Sequence, residues 1–222
     1  KKRLQKNIIN RKFCFCKKKL KNQINFGHLP LINIYSTKKN LKKYPVIVVQ
    51  CEKCLLIQLK YSASDKLLFP NNYSYLSGNS KEKINNFKSI ITKIKKISIK
   101  KNPQILDIGS NDGSFLELAK KSYPKVLGVE PTNTAKISLS KNIDTIKKPL
   151  NLKLVKKIVH KYSKFDFIVA TNFFAQTNNL SEILKSIKLI LSKEGLLIIE
   201  NQYLYDLLLQ KGFDSFHHEH IA

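Results

Sequence analysis

No apolar run in this 222-residue sequence approaches the roughly 20 residues that a membrane-spanning helix needs, and hydrophobic residues make up an ordinary 42% of it. The sequence therefore reads as a soluble, cytoplasmic protein with no membrane partner. A secretory leader is also missing, because the basic start KKRLQKNIINRKF runs into cysteines and lysines instead of an apolar stretch. Methionine is absent, position 1 included, which predicts a fragment or a processed product. Arginine is nearly absent too. Of 41 basic residues only Arg3 and Arg11 are arginine, and lysine supplies the rest, spread along the chain beside many Asn and Ile residues, a pattern expected of A/T-rich coding. A formal net charge of +26 would ordinarily suggest nucleic acid, since clustered cations gain affinity by releasing counterions. Phosphate and base-edge recognition favours the rigid guanidinium fork, so the arginine shortage weighs against nucleic acid as the main partner.

The length suffices for one domain of about 150 residues plus a smaller module. All four cysteines fall in the first 60 residues, beside short alternating apolar runs at Tyr44 to Gln50 and Leu55 to Tyr61, so residues 1–62 read as a small β-rich module. Residues 63–80 are rich in Pro, Asn, Ser and Gly but interrupted by Phe69, Tyr73 and Tyr75, which predicts an ordered, tyrosine-rich linker. From Lys81 to Lys100 the apolar residues Ile84, Phe87, Ile90, Ile91, Ile94 and Ile97 recur at three and four, the spacing of an amphipathic helix, and Pro103 follows its end. Strands at 105–109, 125–130, 144–148, 165–171 and 195–200 then alternate with helices at 113–122, 133–141, 150–162 and 180–192. This pattern predicts an α/β fold over residues 81–222, a Rossmann-like parallel sheet with helices on both faces and ligands beyond the carboxyl ends of the strands.

Residues 105–131, ILDIGSNDGSFLELAKKSYPKVLGVEP, join an apolar strand to a helix through Gly109 to Gly113. Two glycines allow a tight turn and a close approach to a ligand. A phosphate cradle would want exposed amides and a cation, whereas this loop carries Asp107 and Asp112, which suit a cationic amino-acid ligand. Glu130 closes the next strand, where a carboxylate can accept both hydroxyls of a ribose. Adenosine plus an ammonium group describes S-adenosylmethionine. Taken alone, the glycine pattern is equally that of a strand-to-helix turn with no ligand.

The strings IGSNDGSFLELA, GVEPTNTA, IIENQYL and FDSFHHEH, with FGHLPL, YPVIVVQCEKCLLIQL and NNYSYLSGNS ahead of them, resemble the S-adenosylmethionine-dependent sugar C-methyltransferases that act on keto-deoxy sugars carried on nucleotide diphosphates. The resemblance spans about residues 14–222 and includes the Asn-Asp-Gly loop and the Glu-Pro pair. It implies a class I methyltransferase domain behind an N-terminal zinc module, with Asp107, Gly109, Asn111, Asp112, Gly113, Glu130 and Pro131 at the cofactor. Asn172 and Phe173 would border the methyl group, and Tyr73, Tyr75 and Ser80 would fold back over the cofactor. Glu200, Tyr203 and Gln176 would face a nucleotide-linked keto-sugar, Gln176 standing where the family usually has histidine. The fold and the family both continue beyond the fifth strand, so the 222 residues alone are expected to be inactive or unstable.

The spacing of Cys51-x-x-Cys54 is that of a zinc knuckle, and Cys14-x-Cys16 supplies two more thiolates for a closed tetrahedral structural site. The family's first pair is usually one residue wider, and four reduced cysteines without metal are the other reading. Three of the five histidines, His217, His218 and His220, cluster with Glu219 near Ala222. Methylating carbon requires removal of a proton alpha to a ketone, which histidine does near neutral pH with a carboxylate to orient it. The family's matching stretch is Tyr-His-Glu-His, so the resemblance implies His220 as base, Glu219 assisting, and His217 in place of the tyrosine. The same cluster also fits a metal-binding or solvated tail. Two other functions stay open: methylation of a different small molecule, and a non-catalytic lysine-rich module that binds RNA.

Overall fold

The computed structural model describes residues 7–32 and 40–222, the side chain of Asp214 excepted, so parts of the 1–62 module lie outside the described residues. The chain divides into two compact units. No helix among the described residues is long and apolar enough to cross a membrane.

The first unit comprises residues up to Pro70 together with Phe174–Leu180 and Asn201–Ala222. Strands β2 (Leu20–Pro30), β3 (Lys43–Cys51) and β4 (Ile57–Leu59) form an antiparallel sheet with β3 in the middle. Along β3 the side chains of Tyr44, Val46 and Val48 are buried, the alternation expected of a strand with one covered face, while towards its end Val49 and Cys51 on the opposite face are buried as well. Phe26, Ile57 and Phe216 pack against Val46, Val48 and Leu59. The segment Leu55 to Tyr61, expected as one strand, is two. Lys60 donates its N–H to the carbonyl of Ile47 and accepts from the N–H of Arg11, so the chain leaves one sheet and enters another there. Beyond it, β5 (Tyr61–Ala63) pairs with β1 (Ile8–Asn10). Two short helices that no periodicity announced, α1 (Asp65–Leu68) and α7 (Leu204–Leu209), belong to this unit.

The second unit comprises Asn71–Phe173 and Ser181–Glu200. Its sheet holds β6 (Ile105–Ile108), β7 (Val126–Val129), β8 (Thr145–Ile146), β9 (Phe165–Thr171) and β10 (Leu191–Glu200), all parallel, in the order β10-β9-β6-β7-β8. The connecting helices are α3 (Ser114–Lys120), α4 (Thr134–Ser140), α5 (Leu152–Tyr162) and α6 (Leu180–Ile190). The predicted α/β alternation therefore stands. Because the chain starts mid-sheet at β6 and winds outward in both directions, the crevice at the carboxyl ends of β6 and β9 is a topological switch point. Strand β6 is buried on all four residues, as a strand covered on both faces must be.

Helix α2 (Lys81–Ile97) precedes the sheet and packs Phe87, Ile90 and Ile94 against Ile105, Phe115 and Leu116. Each such apolar side chain contributes about 1.5–3 kcal/mol on burial. The helix stops short of Lys100 because the Ser98 hydroxyl donates to the Lys100 carbonyl and accepts its N–H, a local turn that competes with helical hydrogen bonds. Strand β10 begins earlier than expected, at Leu191, with its register interrupted between Leu191 and Leu196.

Candidate functional site

The loop after β6 owes its shape to three positive φ angles, Gly109 at 73°, Asn111 at 50° and Gly113 at 77°. Glycine adopts this region without strain and asparagine tolerates it better than most residues. At Gly113 space adds a second demand, for a Cβ there would lie 2.3 Å from the Ser138 hydroxyl of α4. The N–H groups of Gly109 and Ser110 donate to the Val129 carbonyl and tie the loop to the end of β7.

Just beyond β7, the buried carboxylate of Glu130 accepts the N–H of Asn111 at 3.1 Å on one oxygen and that of Thr132 at 2.8 Å on the other. Asp107, 4% exposed, lies in β6 itself. Burial pushes its carboxyl up to about 8, Glu130 and Asp112 push the same way, and only Lys83 opposes them. Three acidic groups thus gather where β6 and β7 end, in a place too dry to hold them all ionised without a cation. Pro131, the next residue, is exposed.

The tyrosine-rich segment meets this loop. Asn111 Oδ1 accepts the N–H of Ser77, its Nδ2 donates to the Tyr75 carbonyl, and Asp112 Oδ2 accepts the N–H of Gly78, each at 3.0 Å. Ser80 caps α2, its hydroxyl accepting the N–H of Lys83 at 3.2 Å, and Tyr73 is half-buried. At the end of β10, Glu200 is held by Lys83 at 2.6 Å and by Asn86. Neither residue was singled out in the sequence, yet Lys83 and Asn86 are three apart in the first turns of α2 and so share a face. Asn172 has φ 55° and donates its N–H to the Glu200 carbonyl at 2.8 Å, while the Phe173 ring lies where a Cβ on Gly109 would reach it at 3.2 Å. Asp107, Asp112, Glu130, Asn172, Phe173 and Glu200 therefore all stand at the carboxyl end of one sheet.

In the first unit the sulfurs of Cys14, Cys16, Cys51 and Cys54 all lie within 4.8 Å of one another, and no disulfide joins them. Cys14 and Cys54 are 3.6 Å apart and Cys16 and Cys51 3.5 Å, close to the roughly 3.8 Å edge of a tetrahedron with Zn–S of about 2.3 Å. The narrow Cys14-x-Cys16 pair fits because Lys17, at φ 64°, turns the chain back, with its N–H on the Cys14 carbonyl. Leu55, at φ 60°, does the same after the second pair. The N–H groups of Lys53 and Cys54 point at Cys51 Sγ, both at 3.4 Å, and Gln58 Nε2 donates to Cys14 Sγ at 3.1 Å. The Cys54 N–H, opposed by burial and joined by the Lys53 N–H, pulls the Cys51 thiol down to about 6. Four convergent sulfurs with amide donors behind them fit structural zinc, and all four positions would be filled by protein.

The clustered histidines His217, His218 and His220 also belong to the first unit. His220 Nδ1 bonds the Ser215 carbonyl at 2.9 Å and the ring lies 4.0 Å, centroid to centroid, from that of His217. Burial lowers the His220 pKa, with the Ser215 carbonyl opposing. His220 lines an open pocket with Val48, Leu59, Gln202, Leu204 and Phe216. Glu219 lines a different, small pocket with Leu31, Leu68 and His218. His218 is buried, its Nε2 3.3 Å from the Tyr44 carbonyl, and burial lowers its pKa. Gln176 ends a 3-10 turn at Phe174–Gln176, and Tyr203, 66% exposed, precedes α7.

Two measurements test these centres. The purified chain should carry one zinc per molecule, and Cys54→Ser should lose the metal and destabilise the first unit, since three sulfurs leave the tetrahedron open; full metal content in that variant refutes the four-cysteine site. For Asp107, whose folded pKa lies above the ordinary 3.8, the folded state holds the extra proton between about 4 and about 8. Stability of the cofactor-free chain should therefore fall as pH rises through that window, and Asp107→Asn should flatten the fall in urea midpoints. Parallel profiles for parent and variant would contradict the buried-acid description.

Residues 83–222 match the family described as a methyltransferase domain, and residues 14–69 match one described as a zinc binding domain. A curated relative, the C-methyltransferase NovU of Streptomyces niveus, is 25% identical over 205 residues, covering 90% of this chain and 49% of NovU. The chain thus spans about half the length of that relative. Among solved structures, the plantazolicin methyltransferase BpumL in complex with SAH is 21% identical at a TM-score of 0.50, with 68% of this chain and 60% of that one covered, a likeness of fold. The methyltransferase match covers the sheet, its loop and the acids at its carboxyl edge, and the chain belongs to the methyltransferase domain family.

Proposed function

We propose that the protein is an S-adenosylmethionine-dependent C-methyltransferase whose acceptor is a keto-deoxy sugar carried on a nucleoside diphosphate. The observation that carries the cofactor part is the gathering of three buried acids, Asp107, Asp112 and Glu130, at the carboxyl ends of β6 and β7, a site that favours a cation. S-adenosylmethionine supplies a methyl group on a positively charged sulfur. Glu130 would accept the ribose hydroxyls on the lone pairs its two amide partners leave, and Asp107 would favour the positive charge. Methylation at carbon is supported by the likeness to NovU, and the sugar by the motifs around FDSFHHEH.

His220 is the proposed base. The Ser215 carbonyl can only accept, so the neutral ring carries its proton on Nδ1 and presents the lone pair of Nε2. Nε2 would take the proton from the carbon alpha to the sugar ketone and leave its electron pair as an enolate; S-adenosylmethionine, which Asp107 and Glu130 would hold, would supply the methyl group for that carbon. His217 Nδ1 accepts the N–H of Glu219 at 3.4 Å, which puts that ring's proton on Nε2. The zinc module holds structure and takes no part in the chemistry.

Calorimetric titration with S-adenosylmethionine, and separately with RNA, at two salt concentrations tests the cofactor reading. Binding that is insensitive to salt and lost in Glu130→Ala supports it; strongly salt-dependent RNA binding with no cofactor binding overturns it. With a keto-sugar nucleotide as acceptor, His220→Ala should abolish turnover and leave cofactor affinity nearly intact. Because burial lowers the His220 pKa and the base must be neutral, kcat should fall with acid only below the ordinary histidine value of about 6.5. Normal turnover in His220→Ala removes it from the mechanism.

A further inference from the structure

Helix α2 and the cofactor loop are joined by a strap, residues 71–80, and the strap is seated on the loop by side chains at one place. At its start the Asn71 carbonyl accepts the N–H of Asn133, a backbone contact, and at its end Ser80 caps α2. Between these ends the carboxamide of Asn111 spends its two polar atoms on strap backbone, one on the Ser77 N–H and one on the Tyr75 carbonyl. Asp112 takes the neighbouring Gly78 N–H. Both side chains are buried, Asn111 at 8% and Asp112 at 4% exposure. The approach is close enough to require glycine, since a Cβ on Gly78 would lie 2.5 Å from the Ser114 hydroxyl and 2.8 Å from Asp112 Oδ2. The backbone of Asn111 meanwhile donates to Glu130, so one residue links the strap to the carboxylate proposed for the ribose.

We propose that Asn111 is a positioning residue, a clamp that seats the strap on the loop, and that the cofactor enters and leaves when this clamp opens. The gating half rests on the cofactor reading above; the clamp itself does not. A seated strap puts Tyr75 in the field of Asp112 and Glu200, the acids that with burial raise its phenol pKa. Through Ser80 the seat also carries on into α2, whose Lys83 and Asn86 hold Glu200. The clamp therefore couples the loop to the far edge of the sheet through hydrogen bonds that a ligand of the loop would find already made.

The test uses the full chain and two variants that disturb the seat from opposite sides, Asn111→Ala and Gly78→Ala. Amide hydrogen exchange at Ser77 and Gly78, measured without cofactor, should quicken by about tenfold or more in Asn111→Ala, as expected when buried hydrogen bonds of this kind are removed. Stopped-flow mixing with S-adenosylmethionine should then show association and dissociation both faster by about tenfold in each variant, with the dissociation constant changed less than either rate. A residue that merely held the fold would not raise the association rate. Asn111→Asp, which keeps the acceptor for Ser77 and loses the donor for Tyr75, should fall between parent and Asn111→Ala. Unchanged exchange in both alanine variants overturns the clamp. Faster exchange with unaltered binding rates, or weaker binding through dissociation alone, overturns the gate. Should the parent fail to bind S-adenosylmethionine, the cofactor reading and the gate fall together, while the exchange measurement still decides the clamp.

Discussion

Burying Asp107 is the constraint around which the second unit is arranged. An ionised carboxylate removed from water costs far more than a hydrogen bond returns, and here a second buried acid, Glu130, stands close enough to raise the penalty. The neighbourhood answers with donors. Glu130 takes two backbone N–H groups, Asp112 takes those of Gly78 and Ser114, and Lys83 contributes the single opposing charge. The positive φ angles at Gly109, Asn111 and Gly113 bend the chain so that Asn111 N–H meets Glu130 while the N–H groups of Gly109 and Ser110 meet the Val129 carbonyl. A site with this many buried acids is shaped for a cation before any ligand arrives.

The sheet, its helices and the loop were legible in the sequence because each rests on a local signal: buried runs of period two, apolar stripes of period 3.6, and glycines at a strand-to-helix turn. The acids at the strand ends were legible for the same reason, since strand ends can be read from where the apolar run stops. What could not be read was who holds whom. Glu200 stood out as an acid closing a strand, but its partners Lys83 and Asn86 lie more than a hundred residues earlier and carry no motif. Asn111 and Asp112 could be assigned to the loop, yet their hold on Ser77 and Gly78 depends on a fold-back that periodicity does not describe. The split of Leu55 to Tyr61 into two strands was equally hidden, because it follows from a neighbour, Arg11, and not from the segment itself.

The cysteine module shows the opposite case, in which spacing looked doubtful and geometry is clear. A pair separated by one residue has little freedom to aim both sulfurs at one point. Lys17 provides it by adopting a left-handed conformation that most residues avoid, and the sulfurs converge as the metal would require. In a small β module whose buried clusters hold only a few side chains each, such a centre supplies what the apolar core does not.

The ribose contact proposed for Glu130 also bears on selectivity. Each of its oxygens already receives one backbone N–H, so what remains is a pair of lone-pair directions and no donor. Such a group counts donors on its ligand. A sugar with two adjacent hydroxyls fills both directions, whereas one that lacks a hydroxyl, or carries an ether there, leaves a buried anionic oxygen short of a partner, so the carboxylate would separate ribosides from deoxyribosides by what it is denied, without any steric wall.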